Sequence, residues 1–251
     1  MSQKLIVTKL AYHQKEYIAC VLYEGSRLLE VSLQLSRSKQ SGASPSVSPA
    51  GTDTGILGNI YVGRVKDVVK SLNAAFIEIA PGVPCYYSLE DFDNPVFVKK
   101  INSPRLVQGD ELLVQVEKEA MKTKPPRVTT NLNFTGKYMA LTTGNRTLGV
   151  SKKLDKETGT RLRTLLEPHK KPEYGIVIRT NSRSASDEQI LEELHSLQNQ
   201  VEDIVTRAPY QTCFSCMLKQ EADFIKTLKN IYTDNLEAIL TDDEDLHEAM
   251  R

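Results

Sequence analysis

Arg179 and Thr180 close a short apolar run, Tyr174–Arg179, that reads as a buried strand. A strand ending in this pair delivers a planar guanidinium fork and a hydroxyl to one place. The pair suits a phosphate, because Arg can bind two oxygens at once and Thr adds one hydrogen bond. The plainer alternative is an Arg-Thr pair making surface contacts. A second candidate is the stretch Gly58–Phe92, GNIYVGRVKDVVKSLNAAFIEIAPGVPCYYSLEDF. Ile60, Val62, Val65 and Val68 mark one strand. Ala74, Phe76, Ile77 and Ile79 mark the next, and Tyr86 and Tyr87 begin a third. Arg64, Lys66 and Lys70 lie beside them. Rings on a small β-barrel, interleaved with positive charge, form a platform for single-stranded nucleic acid. Each stacked base contributes ~1–3 kcal/mol, and the cations track the phosphates. A barrel with Phe76 in its core and two incidentally exposed tyrosines accounts for the same residues.

Other groups carry less. Asp242–Asp245 follows an expected strand, and four successive acids rarely face one ion, so the run reads as a solvated turn. Cys213-Phe214-Ser215-Cys216 has the spacing of half a zinc site or a redox pair. No second such pair and no histidine at useful spacing stands near it, which favours a structural role. His13, His169, His195 and His247 form no cluster. No Walker-type phosphate loop or nucleophile elbow is present.

The elements that position these groups follow from the apolar pattern. Residues 4–34 read as three short antiparallel strands, turning at Glu24-Gly25-Ser26. Ser36–Gly55 is rich in Ser, Gly and Pro and reads as a flexible insertion. The barrel follows, with its last strand expected at Glu111–Glu117. Strands are expected at Val128–Asn131 and Tyr138–Thr142, and a helix at Asp155–Leu166. Ser186–Arg207 repeats apolar residues at steps of three and four from a capping Ser, the clearest helix of the chain. A further helix is expected over Met217–Tyr232 and a last strand over Leu236–Leu240.

The 251 residues suffice for one large domain or two to three small ones. No apolar run approaches the ~18 residues of a membrane span, and the N-terminus lacks secretory features. Four dispersed cysteines suggest a reducing, cytoplasmic setting. The formal net charge of zero conceals an asymmetry. Lys99–Thr180 carries 17 Lys/Arg against 8 Asp/Glu, and Ser186–Arg251 carries 5 against 15. A basic middle favours an anionic partner.

Several separated stretches together resemble the bacterial ribonuclease E/G family. They are Gly58-Asn59-Ile60-Tyr61 with Gly63, Ser71–Phe76, Gln108-Gly109, Val114-Gln115-Val116, Thr129-Thr130, Gly149-Val150-Ser151 and Ile178-Arg179-Thr180. Each is weak alone, but their joint order and spacing are specific. The resemblance implies an α+β multidomain fold. An RNase H-like subdomain would be split by an inserted five-stranded OB-fold barrel and an α/β 5′-sensor subdomain. The implied boundaries are 1–57, 58–125, 126–208 and 209–251.

In that family Phe76 and Tyr86 match the stacking aromatics, and Lys118 matches a basic residue of the RNA-contacting surface. Arg179 and Thr180 match the pair that holds a 5′-monophosphate. Gly136 and Ala140 match backbone positions lining that pocket, and Lys153 stands where the family often has Arg nearby. Family cleavage uses a DNase I-like subdomain with a magnesium ion, and a later cysteine pair binds zinc. Neither region matches anything before Arg251. The resemblance therefore implies no catalytic, metal-ligating or cofactor-binding residue within these 251, and no cleavage by them alone. It implies recognition of single-stranded RNA with a 5′-monophosphate, on behalf of an endoribonuclease of RNA decay and ribosomal RNA processing. The partners would be the catalytic region or other RNA-decay proteins. The alternative is a non-catalytic RNA-binding or regulatory protein.

Overall fold

The computed structural model describes residues 2–36, 56–91, 95–121, 123–220, 224, 225, 228 and 235–251. All of the expected Ser36–Gly55 insertion except Ser36 lies outside them, as does much of the helix expected over Met217–Tyr232. The chain divides into two units, residues 1–55 with 221–251, and residues 56–220.

The first unit begins as an antiparallel meander of β1 (Gln3–Tyr12), β2 (Lys15–Glu24) and β3 (Arg27–Leu35). Alternation places Leu5, Val7, Cys20 and Leu22 on one face, where they are buried.

The second unit opens with the barrel. Its strands are β4 (Ile60–Val69), β5 (Ala74–Glu78), β6 (Pro84–Ser88), β7 (Phe97–Lys99), β8 (Glu111–Lys118) and β9 (Arg127–Thr129). Pairing runs β4-β5-β6-β9-β8 and back to β4, a closed five-stranded ring, the strand number of an OB-fold. β7 adds to the outside of β8. Glu111–Glu117 closes the ring against β4 but is not its last strand: Arg127–Thr129, too short a run to stand out as a barrel strand, follows it and joins β6 to β8. Gly63 allows the close packing of β4: a Cβ there would stand 2.6 Å from Ile77 Cγ2 and 2.9 Å from Val114 Cγ2.

A four-stranded sheet follows in the order β10-β11-β13-β12. Its strands are β10 (Asn133–Thr135), β11 (Met139–Thr142), β12 (Leu148–Val150) and β13 (Gly175–Ile178). Helices α1 (Lys156–Leu166) and α2 (Asp187–Arg207) complete this part. Asp155 caps α1 by accepting from Thr158 N at 2.8 Å. Ser186 and Gln189 form a reciprocal capping box at the start of α2. Leu162 and Leu166 of α1 and Ile190, Leu194, Leu197, Val201 and Ile204 of α2 share a core with Phe134, Leu141 and Ile176. Ile60, Val62 and Leu113 of the barrel join that core.

Helical structure does not begin at Met217. Cys216–Leu218 instead forms β14, paired with β4 at Tyr61 and Ile60. Backbone pairing to a barrel edge outweighs the helical spacing there, while Phe224, Ile225 and Leu228 are helical. The chain then returns to the first unit as β15 (Leu236–Thr241), which runs parallel to β1.

The acidic run is not a free turn. Asp243 caps α3 (Glu244–Ala249), accepting from Leu246 N at 2.9 Å. Lys9 Nζ lies 2.7 Å from Asp243 and 3.2 Å from Asp245. Thr8 donates to Asp242 at 3.0 Å. The Lys9 contact, then the cap, holds the Asp243 carboxyl below its ordinary pKa. Asp243→Ala is expected to lower the stability of this unit by about 1 kcal/mol. A depressed folded pKa gives stability that is complete above the unfolded value of about 3.9 and is lost as pH falls through the folded value. Denaturant titrations of parent and variant should therefore converge in acid. A gap that persists unchanged to about pH 2 would contradict this.

Candidate nucleic-acid interface

Strand register brings four side chains into one row across the barrel. Phe76 of β5 pairs with Tyr86 of β6, Tyr86 with Arg127 of β9, and Arg127 with Lys118 of β8. Ala75, Ile77, Cys85, Tyr87 and Val128 are buried, so by alternation Phe76, Tyr86 and Arg127 turn outward. The two rings stand edge to face, with centroids 6.4 Å apart and planes at 80°. Both are half-buried, and Lys118 is exposed. The row thus presents two rings and, beyond Arg127, the exposed cation Lys118, as stacking bases and a phosphate need.

The two tyrosines separate by alternation. Tyr87 is wholly buried, and its hydroxyl meets Thr130 Oγ1 at 3.1 Å. Burial pushes its pKa up to about 12. It belongs to the core, and only Tyr86 is available to a ligand. Arg64 and Lys66, expected to track phosphates, are paired instead. Arg64 lies 2.9 Å from Glu111, and Lys66 lies 2.7 Å from Glu78. Arg64 also stands over the Phe214 ring at 5.4 Å. Lys70 is exposed on the turn between β4 and β5.

Sequence reasoning missed Arg127. A basic residue on a three-residue strand carries no periodic signal, and only the register reveals it. Its Nη2 donates to Asp91 at 3.0 Å, and Nε lies 2.9 Å from Glu117. The Asp91 contact raises the guanidinium pKa further, so the charge is permanent. Beside it opens a cleft of ≈ 320 Å³ lined by Glu90, Asp91, Glu117, Thr129, Asn131 and Asn133. Three carboxylates repel phosphate there, so the cleft suits a base or ribose better than a phosphodiester.

The second cluster forms where β13 ends. Arg179 N donates to Tyr138 O at 2.8 Å, and Arg179 Nη1 donates to Gly136 O. Thr180 Oγ1 meets Ser151 Oγ at 3.3 Å. Ser151 Oγ also accepts from Lys153 N at 3.4 Å, and Lys153 O accepts from Arg183 Nη2 at 2.9 Å. Arg179, Thr180, Gly136 and Lys153 therefore belong to one connected set, with Ser151 and Arg183 added to it. Ala140 lies on β11 between Thr135 and Val177. Gly136 N is already engaged with Met139 O at 2.8 Å.

A magnesium ion does not fit the acids at hand. Asp242, Asp243 and Asp245 are committed to Thr8, the helix cap and Lys9. Among the described residues no group of three His, Cys, Asp or Glu side chains could hold a metal. Cys213 and Cys216 are free thiols beside β4. Cys213 is half-buried, which raises its pKa and disfavours thiolate chemistry, and Cys216 is exposed. Among the described residues no helix is long and apolar enough to cross a membrane.

The chain is similar to known proteins. The model of the ribonuclease E/G family matches residues 133–251. The chain is 31% identical over 191 residues to ribonuclease E of Synechocystis, covering 74% of this chain and 28% of that protein. It is 28% identical over 199 residues to ribonuclease G of Haemophilus influenzae, covering 75% and 40%. The chain belongs to the ribonuclease E/G family. It spans well under half the length of these curated relatives. The family match begins at Asn133 and takes in the Arg179-Thr180 cluster.

Proposed function

We propose that this chain binds single-stranded RNA and senses its 5′-monophosphate, as the recognition part of a ribonuclease E/G-type endoribonuclease in RNA decay and ribosomal RNA processing. The observation that carries this reading is the Phe76-Tyr86-Arg127-Lys118 row. Two rings offer faces to consecutive bases, and Lys118 beyond Arg127 meets the backbone. Arg179 and Thr180 then hold the 5′ end: the anchored guanidinium donates to phosphate oxygens and the hydroxyl adds one bond. A monophosphate is a compact dianion matched to one such pair, whereas a triphosphate overfills it.

In the same reading, residues 58–125 are an OB-fold RNA-binding domain, and 126–208, whose first strand β9 completes the barrel, are a 5′-sensor subdomain. Residues 1–57 and 209–251 are the two parts of an RNase H-like subdomain. Magnesium-dependent cleavage belongs to a catalytic region that partners this one, and the free thiols suit a reducing cytoplasm.

The test is a fluorescence-anisotropy titration of one short RNA carrying either a 5′-monophosphate or a 5′-hydroxyl. The parent should prefer the monophosphate. Arg179→Ala removes charge-assisted hydrogen bonds worth ~1.5–3 kcal/mol, so the preference should fall by roughly tenfold or more. Affinity for the 5′-hydroxyl RNA should hold within about twofold, since the barrel row is untouched. An identical preference in parent and variant would refute the sensor assignment.

A further inference from the structure

We propose that Glu193 is the positioning residue of the 5′-end site, a role that rests on the sensing function proposed above. Glu193 stands on α2. Its carboxylate is half-buried and gathers three successive backbone amides. Oε2 accepts from Lys137 N at 2.7 Å, and Oε1 accepts from Tyr138 N and Met139 N, both at 2.8 Å. Such converging N–H groups form an anion-binding nest, and here an internal carboxylate fills it. Bonds to a charged acceptor are about twice as strong as neutral ones, so the turn is held firmly.

The turn held in this way is the one that holds Arg179. Gly136 N donates to Met139 O at 2.8 Å, which closes the turn. Gly136 O then accepts from Arg179 Nη1, while Tyr138 O accepts from Arg179 N at 2.8 Å. The carboxylate thus fixes the carbonyl that fixes the guanidinium. The fit is tight: a Cβ at Gly136 would stand 2.5 Å from Glu193 Oε1. A side chain there would have to push the Glu193 carboxylate off the amides that it holds.

This geometry assigns two consequences to Glu193. It denies the three amides to an incoming phosphate, which must be met by Arg179 and Thr180. It also pre-sets the direction of the guanidinium, so that less ordering is left to the moment of binding. Glu193 acts through Arg179 and is not itself a phosphate ligand.

The test compares Glu193→Ala and the isosteric Glu193→Gln with the parent, using the same two RNAs. Glu193→Ala should lower the preference for the 5′-monophosphate by about tenfold, as Arg179→Ala does, with 5′-hydroxyl affinity unchanged. Glu193→Gln retains one acceptor oxygen without charge and should lose severalfold. If Glu193→Ala does not fold, the Gln variant decides. The double variant with Arg179→Ala should show no further loss, because both changes remove one effect. Amide exchange at Lys137–Met139 should quicken in both Glu193 variants. An undiminished preference in the Glu193 variants, with loss in Arg179→Ala, would overturn the positioning role alone. A raised preference would also overturn it, since the freed amides would then be binding phosphate. If Arg179→Ala keeps the preference too, the fault lies with the sensing function.

Discussion

Replacing Phe76 and Tyr86 together by Ala should weaken binding of single-stranded RNA by roughly a hundredfold at moderate salt. Stacking on one aromatic contributes ~1–3 kcal/mol per base, or about tenfold and more for each ring. The two rings touch edge to face at 6.4 Å, so each also braces the other. Their single losses should therefore sum to a value different from the double loss. Both side chains are half-buried and turned outward from the closed barrel, so the fold should survive their removal. Lys118→Ala is the contrasting variant. It removes one cation, so it should weaken all sequences alike and reduce the salt slope by about one. The aromatic variants should leave that slope nearly unchanged. Unaltered affinity in the double aromatic variant would mean that charge alone holds RNA, and the stacking row would be abandoned. The preference for a 5′-monophosphate should persist in these variants, since it is assigned to Arg179.

How far this interface was legible in the sequence depends on the range of the signal. Local pattern put Phe76, Tyr86 and Tyr87 on strands but left Phe76 open between core and surface, and the resemblance singled out Phe76 and Tyr86. Arg179 and Thr180 end an apolar run, and the run is the central strand β13. α2 was legible almost to the residue, because its apolar spacing and its capping box are both local. Arg127 was not, because its place in the row is set by pairing with Tyr86 and Lys118, far away in sequence. Tyr86 and Tyr87 look alike in the sequence, and only strand phase sends one outward and one inward. Met217 shows the opposite failure. Its helical spacing was genuine, but Cys216 and Leu218 found a barrel edge to pair with. Glu193 was hidden for a third reason: an acid on an amphipathic helix looks solvated until a distant turn presents its amides.

Asp110→Ala should lower the stability of the barrel unit by ~2–4 kcal/mol. Asp110 is fully buried in the turn that leads into β8. Its carboxylate accepts from Lys100 Nζ at 2.6 Å, Ile101 N at 2.8 Å and Val107 N at 2.9 Å. Its own carbonyl accepts from Val65 N at 2.8 Å, and Gly109 N donates to Val65 O at 2.8 Å. One side chain thus gathers the loop between β7 and β8, while the backbone stitches that loop to β4. Alanine leaves two amides without their acceptor inside the fold, while the exposed Lys100 ammonium keeps Arg105 O at 2.8 Å. Asparagine keeps the shape and one acceptor but loses the charge, so Asp110→Asn should fall between parent and alanine. Urea titration should show a lower midpoint with an unchanged slope, the mark of altered stability without altered compactness. A loss below about 1 kcal/mol for alanine would show that water or Lys100 readily replaces these bonds. The consequence for function runs through β8, which closes the barrel and carries Lys118. RNA affinity of the alanine variant should match the parent where the barrel is folded, and should fall only as the unfolding transition is approached. That pattern separates a residue that builds the platform from the residues that use it.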